Sequence, residues 1–163
     1  MLNISEIYVY PIKSMGAIAL KSAVVAETGF AFDRYWMLVD RNGNCLTQRE
    51  FPNMALFQVA FTDGGIRVSF NGASMAISNS LPLAANETME CRIWEDTIQA
   101  IKEPHTVSKW FSRHLGCEVF LVRMAPDSFR YVKRHAPSQV HFPDSSPYLV
   151  IGRASLQFLN EVI

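Results

Sequence analysis

Before Pro104, apolar and polar positions alternate in short runs that turn residues interrupt at close intervals. Ile18, Leu20, Val24 and Ala26 share one parity, as the inward face of a half-buried strand does. The same alternation predicts strands over residues 4–12, 18–26, 35–40, 45–48, 56–62, 66–70, 74–77, 89–95 and 97–102. Asn42-Gly43, Asp63-Gly64-Gly65 and Asn71-Gly72 fall between consecutive strands, and all supply residues that tolerate the positive φ of a tight hairpin. Many short strands joined by close turns predict a barrel or a sandwich.

After Pro104 the period changes. Val107, Trp110, Phe111 and Leu115 lie on one face of a helix over residues 105–115, and Gly116 supplies its stop. Residues 117–123 return to strand. Residues 125–147 contain Pro126, Pro137, Pro143 and Pro147 and read as a long loop, a kind of segment that is usually functional or poorly ordered. A buried strand is expected over residues 148–151, then an amphipathic helix over 154–163 carrying Leu156, Leu159 and Ile163. That helix has no Gly, no Pro and no basic last turn, and it closes on Val162-Ile163. The expectation is therefore a fragment: a mainly β domain with one or two helices over residues 1–124, a linker over 125–147, and the truncated start of a second β-rich domain over 148–163.

Composition removes several function classes. Fifteen Lys and Arg balance fifteen Asp and Glu, whereas a general nucleic-acid binder needs a cationic surplus to neutralise phosphates. No apolar run approaches the roughly 18 residues of a spanning helix, and the N-terminal residues lack the basic and apolar regions of a signal peptide. A cytoplasmic protein is expected. Cys45, Cys91 and Cys117 are odd in number and widely spaced, which predicts buried reduced thiols rather than a disulfide framework or a zinc site. The histidines form no HxxxH or HExxH pattern, there is no GxSxG, and no helix follows Gly64-Gly65 to make a phosphate loop. Trp36, Trp94 and Trp110 are expected to fill the core.

Candidate chemistry sits in two echoing segments, Tyr10-Pro11-Ile12-Lys13-Ser14 and Phe32-Asp33-Arg34-Tyr35-Trp36. A lysine at a strand end beside a small hydroxyl suits a phosphate, because both donate hydrogen bonds. Arg34 offers a planar fork for the same anion. The ordinary alternatives stay open: a solvated Lys13, and an Arg34 paired with Asp33. Arg49 is a weaker anion candidate, equally suited to an ion pair with Glu50 or Asp33. Arg130, Lys133, Arg134 and His135 surround Tyr131 in the long loop and suit either closure over an anion or a solvated basic surface.

These segments in order, with Leu46-Thr47-Gln48-Arg49-Glu50, Pro52-Asn53-Met54-Ala55 and Trp94-Glu95-Asp96-Thr97, resemble the MOSC N-terminal β-barrel domain. Phe142-Pro143-Asp144-Ser145-Ser146-Pro147-Tyr148-Leu149-Val150-Ile151 and Ala154-Ser155-Leu156 resemble the opening of the MOSC domain that follows it. The resemblance is to bacterial relatives of the mitochondrial amidoxime-reducing component and to the molybdenum cofactor sulfurase C-terminal family. It implies a molybdenum cofactor (molybdopterin) held between barrel and MOSC domain. The implied reaction is reduction of N-hydroxylated compounds, a small-molecule substrate class, with electrons from a redox partner such as a ferredoxin-like protein or a flavin reductase. It places Lys13, Ser14 and Arg34 on positions that contact the anionic pterin, with Ser146 approaching from the MOSC side. The metal-ligating cysteine of the family lies beyond residue 163, so no metal ligand and no catalytic residue is expected among these residues. The alternative implied function is a sulfur- or cofactor-transfer module of the sulfurase type, associated with pyridoxal-phosphate-dependent desulfurase chemistry.

Overall fold

The computed structural model describes residues 3–80, 87–132 and 138–163. The first half comprises β1 (Ile7–Val9), β2 (Ile18–Leu20), β3 (Val25–Ala26), β4 (Gly29–Phe30), β5 (Trp36–Val39), a 3-10 turn at Pro52–Leu56, β6 (Gln58–Thr62) and β7 (Gly65–Phe70). Then follow β8 (Ala73–Ser78), β9 (Thr88–Ile93), β10 (Asp96–Lys102), α1 (His105–Leu115), β11 (Phe120–Met124) and α2 (Arg153–Val162). The fold is mostly β, as the alternation predicts.

The central sheet has the order β5-β11-β10-β9, antiparallel throughout. One of its strands, β5, is buried at all four positions. Trp36 and Leu38 enter one apolar cluster with Phe57, Phe111 and Leu121, while Met37 and Val39 enter a second with Ile93, Val122 and Phe142. Burial on both faces explains why this strand reads as an unbroken apolar run. A meander, β6-β7-β8, and two short pairs, β1-β2 and β3-β4, complete the β structure. Val59, Ile66, Val68 and Ile77 of the meander join the first cluster, as do Val107 and Phe111 of α1.

Local signals are honoured where they are strong. The helix forms over His105–Leu115, and Gly116 ends it in the left-handed region at φ 73°. Asn71-Gly72 joins β7 to β8 with both residues at positive φ, 48° and 78°.

Four expectations are corrected. The strand expected over residues 18–26 divides into β2 and β3, which pair with different partners. Residues 45–48 contribute one bridge, Cys45 with Val39, rather than a strand. Residues 148–151 are neither strand nor buried. Tyr148 meets Phe30 edge-on, but Leu149 and Val150 stay 81% and 92% exposed. Trp94 is 54% exposed at the β9–β10 turn instead of filling core. α2 forms, but none of its residues is buried.

The long loop is less open than its prolines suggest. Val140 and Phe142 are fully buried, and Arg130 is buried with them. Arg130 Nε donates to Asp96 Oδ2 at 2.7 Å, and its terminal nitrogens donate to the carbonyls of Pro143 and Asp144. Arg130 therefore shapes this segment from inside. Lys133, Arg134 and His135 lie outside the described residues.

Candidate oxyanion site

Main-chain pairing draws together the segments that carry Lys13 and Arg34. Arg34 N–H donates to the Tyr10 carbonyl (2.7 Å), Trp36 N–H to Pro11 (3.0 Å) and Lys13 N–H to Trp36 (2.9 Å). The Asp33 carboxylate fastens the same junction, accepting from the Tyr10 N–H at 2.8 Å and from Arg34 Nη1 at 2.9 Å. Burial pushes the Asp33 carboxyl above its usual value, although the Tyr10 N–H and Arg34 both oppose that rise. The pairing of Arg34 with Asp33 considered from sequence is thus present, and it is a structural pin.

Backbone strain gathers here. Ser14, Phe32 and Arg34 adopt φ of 63°, 64° and 45°, and Trp94 adopts 54°. Non-glycine residues in the left-handed region cost on the order of 1–3 kcal/mol each and persist only where the surroundings over-determine them. Ile12 and Trp36 supply that constraint: both are fully buried and bridge in parallel between the two segments.

Although Lys13 is only 5% exposed, its ammonium reaches the Asp144 carboxylate at 2.5 Å. Trp94 Nε1 donates to the same carboxylate oxygen at 3.1 Å. The Arg49 guanidinium lies over the Trp94 ring, 5.5 Å from its centroid. Burial raises the Asp144 carboxyl, but Lys13, Trp94 and Arg49 together outweigh that and leave it below its ordinary value. Arg34 Nη2 donates to the carbonyls of Ser146 (3.1 Å) and Pro147 (2.8 Å), while its buried Nε has no partner. Ser14 is half-buried, and its carbonyl accepts from Gln48 Nε2 at 3.1 Å.

Lys13 and Arg34 both reach the 144–147 segment, Lys13 through the Asp144 carboxylate and Arg34 through the Ser146 and Pro147 carbonyls, while Ser14 meets Gln48 through its own carbonyl. Asp144 and Trp94 join them without having been expected from the sequence. No local signal marks the Lys13–Asp144 pair, whose partners are 131 positions apart.

Burial disfavours the thiolate form at all three cysteines. Burial pushes the Cys45 thiol up to about 11, against the opposing charge of Lys13, and Cys91 up to about 12. Neither is a thiolate near neutrality. Among the described residues, no group of three His, Cys, Asp or Glu could hold a metal ion, and no helix is long and apolar enough to cross a membrane.

A mostly β domain in which two cations at the junction of strained segments contact residues 144–147 is what the geometry defines. The chain belongs to the MOSC N-terminal β-barrel family, whose model, the MOSC N-terminal beta barrel domain, matches residues 1–118. Relatives include the molybdenum cofactor sulfurase of Danio rerio, 27% identical over 99% of this chain and 20% of its own length. The mitochondrial amidoxime-reducing component 1 of Mus musculus is 28% identical over 97% of this chain and 50% of its own length. This chain thus spans about a fifth of the sulfurase and half of the amidoxime-reducing component. A solution structure from Bordetella bronchiseptica shares the fold at 19% identity, with a TM-score of 0.50 over 66% of this chain and 92% of the other. The sulfurase relative is one named for the molybdenum cofactor.

Proposed function

We propose that this chain is the N-terminal part of a molybdenum-cofactor oxidoreductase of the MOSC family, and that it holds the anionic pterin cofactor. The observation that carries the proposal is that Lys13 and Arg34, from separate segments, both contact residues 144–147. The buried Arg34 Nε is a donor without a partner, which a further oxyanion would satisfy. An anionic phosphate-bearing group fits this donor set. Lys13 and Arg34 would supply the charge, Ser14 a short hydroxyl, and Ser146 a contact from the opposite side.

When bound, the cofactor would supply redox chemistry for reducing N-hydroxylated small molecules with electrons from a ferredoxin-like or flavin-reductase partner. The work of this chain is to bind and orient. Asp33 fixes Arg34, the Ile12–Trp36 bridge fixes Lys13, and the strained backbones keep the donors aimed in advance of ligand. In this reading the protein acts in the cytoplasm, and residues 148–163 lead into the domain carrying the metal ligand.

The second reading, a sulfur- or cofactor-transfer module, draws on the sulfurase relative. Elemental analysis of the full-length parent, produced in a cofactor-making host, separates the two. Stoichiometric molybdenum that falls severalfold in Lys13→Ala/Arg34→Ala is the expected result. Absence of the metal from the unmutated parent sinks the oxidoreductase reading and leaves the transfer module.

A further inference from the structure

The donors around Asp144 differ from their acceptor in how they are held. Lys13 lies in a turn beyond β1, beside the isolated Ile12–Trp36 bridge, with Ile12 and Met15 of the same stretch fully buried. Trp94 is presented by the β9–β10 turn in a left-handed conformation, which aims its indole N–H at the same point. Their shared acceptor belongs to an irregular segment in which residues 144, 145 and 146 are exposed. The Asp144 side chain itself is 63% exposed. A buried lysine and a turn-held indole N–H facing a carboxylate on an exposed segment have the form of an anion site already filled from within.

We infer that Lys13 Nζ and Trp94 Nε1, flanked by Arg49, form an oxyanion subsite whose internal occupant is the Asp144 carboxylate, and that a phosphate-class ligand enters by displacing it. The inference rests on the anion-binding reading above and adds Trp94, Arg49 and Asp144 to it. Apparent affinity for the incoming anion is then reduced by the fraction of molecules in which Asp144 is seated. Leaving costs Asp144 little burial, whereas Lys13 cannot follow it into solvent. A phosphate oxygen taking the place of the Asp144 carboxylate inherits both donors and the neighbouring Arg49 charge.

The test is Asp144→Asn in this chain, which keeps the side-chain shape and removes the competing charge. Binding of inorganic phosphate is measured by calorimetry, alongside phenyl phosphate to separate free phosphate from a phosphate monoester. A gain of about tenfold or more in affinity over the unmutated chain is expected, as for release of an occupant seated about nine-tenths of the time. The gain should vanish in Asp144→Asn/Trp94→Phe, which retains an aromatic ring and lacks the N–H. Thermal unfolding of each variant confirms that binding is read on folded protein. Equal or weaker phosphate binding by Asp144→Asn, or no binding by either form, overturns the inference. Molybdenum retained by the parent and lost on Lys13→Ala/Arg34→Ala would still uphold the cofactor reading in that event.

Discussion

Arg123→Met tests the scaffold beneath the site. Arg123 is 1% exposed and its partner Glu103 is 4% exposed; they meet at 2.5 Å between Nε and Oε1. Nη1 and Nη2 donate to the carbonyls of Asn79 (2.9 Å) and Ser78 (2.7 Å), tying the central sheet to the end of β8. Glu103 also accepts from Trp36 Nε1 at 2.7 Å, and the guanidinium lies 5.4 Å from the Trp36 ring centroid. The ion pair therefore anchors the residue that bridges to Ile12 beside Lys13. Methionine keeps the length and removes the charge, leaving the Glu103 carboxylate buried without its cation. Breaking one side of such a pair costs about 3–5 kcal/mol. The Ser78 and Asn79 carbonyls lie at a strand end where water can replace the lost donors, so they add little. At 2–4 °C per kcal/mol for a chain of this size, the melting temperature should fall by about 6–20 °C. Denaturant unfolding followed by circular dichroism gives the free energy directly. The double variant Glu103→Leu/Arg123→Met should lose less than Arg123→Met, because it leaves no uncompensated buried charge. A single-variant loss below about 1 kcal/mol, or a double variant no better than the single, refutes the reasoning.

Two further perturbations probe local features. His141 packs edge-on to Tyr35 at 5.1 Å with a partnerless buried Nδ1, and burial holds its pKa below the ordinary 6.5. The unfolded chain takes up this proton before the folded one, so the His141 contribution is complete above that value and declines as pH falls toward the lowered one. Thermal unfolding at pH ~7.5 and ~5.5 should show that loss, and His141→Phe should reduce it; an unchanged slope would exclude His141 as its source. Gly43 and Gly64 both sit in the left-handed region, at φ 81° and 83°. An added Cβ meets the Glu90 carbonyl oxygen at 2.1 Å at Gly43 and nothing within 4 Å at Gly64. Gly64→Ala should cost about 1–2 kcal/mol, the left-handed penalty alone, while Gly43→Ala adds a backbone displacement and should cost about twice that or more. Equal melting temperatures for the two variants would contradict the close approach.

Elements whose cause is local are legible in the amino-acid sequence. The α1 helix has its apolar spacing, and Gly116 as its stop, within one stretch of chain, and the β7–β8 turn has Asn71-Gly72. Lys13 and Arg34 are legible as candidates because each stands out within its own segment. The pairing of those segments is not legible, since it depends on a parallel bridge between Ile12 and Trp36 that no local pattern encodes. Burial of β5 on both faces likewise depends on α1 and the meander covering one side and Phe142 the other. The apolar run 148–151 misleads for the converse reason: hydrophobicity predicts burial only when another element arrives to cover it. Asp144 and Trp94 join the site by long-range approach alone. Sequence patterns record the faces that elements present, and contacts between distant elements arise only when those faces pack together.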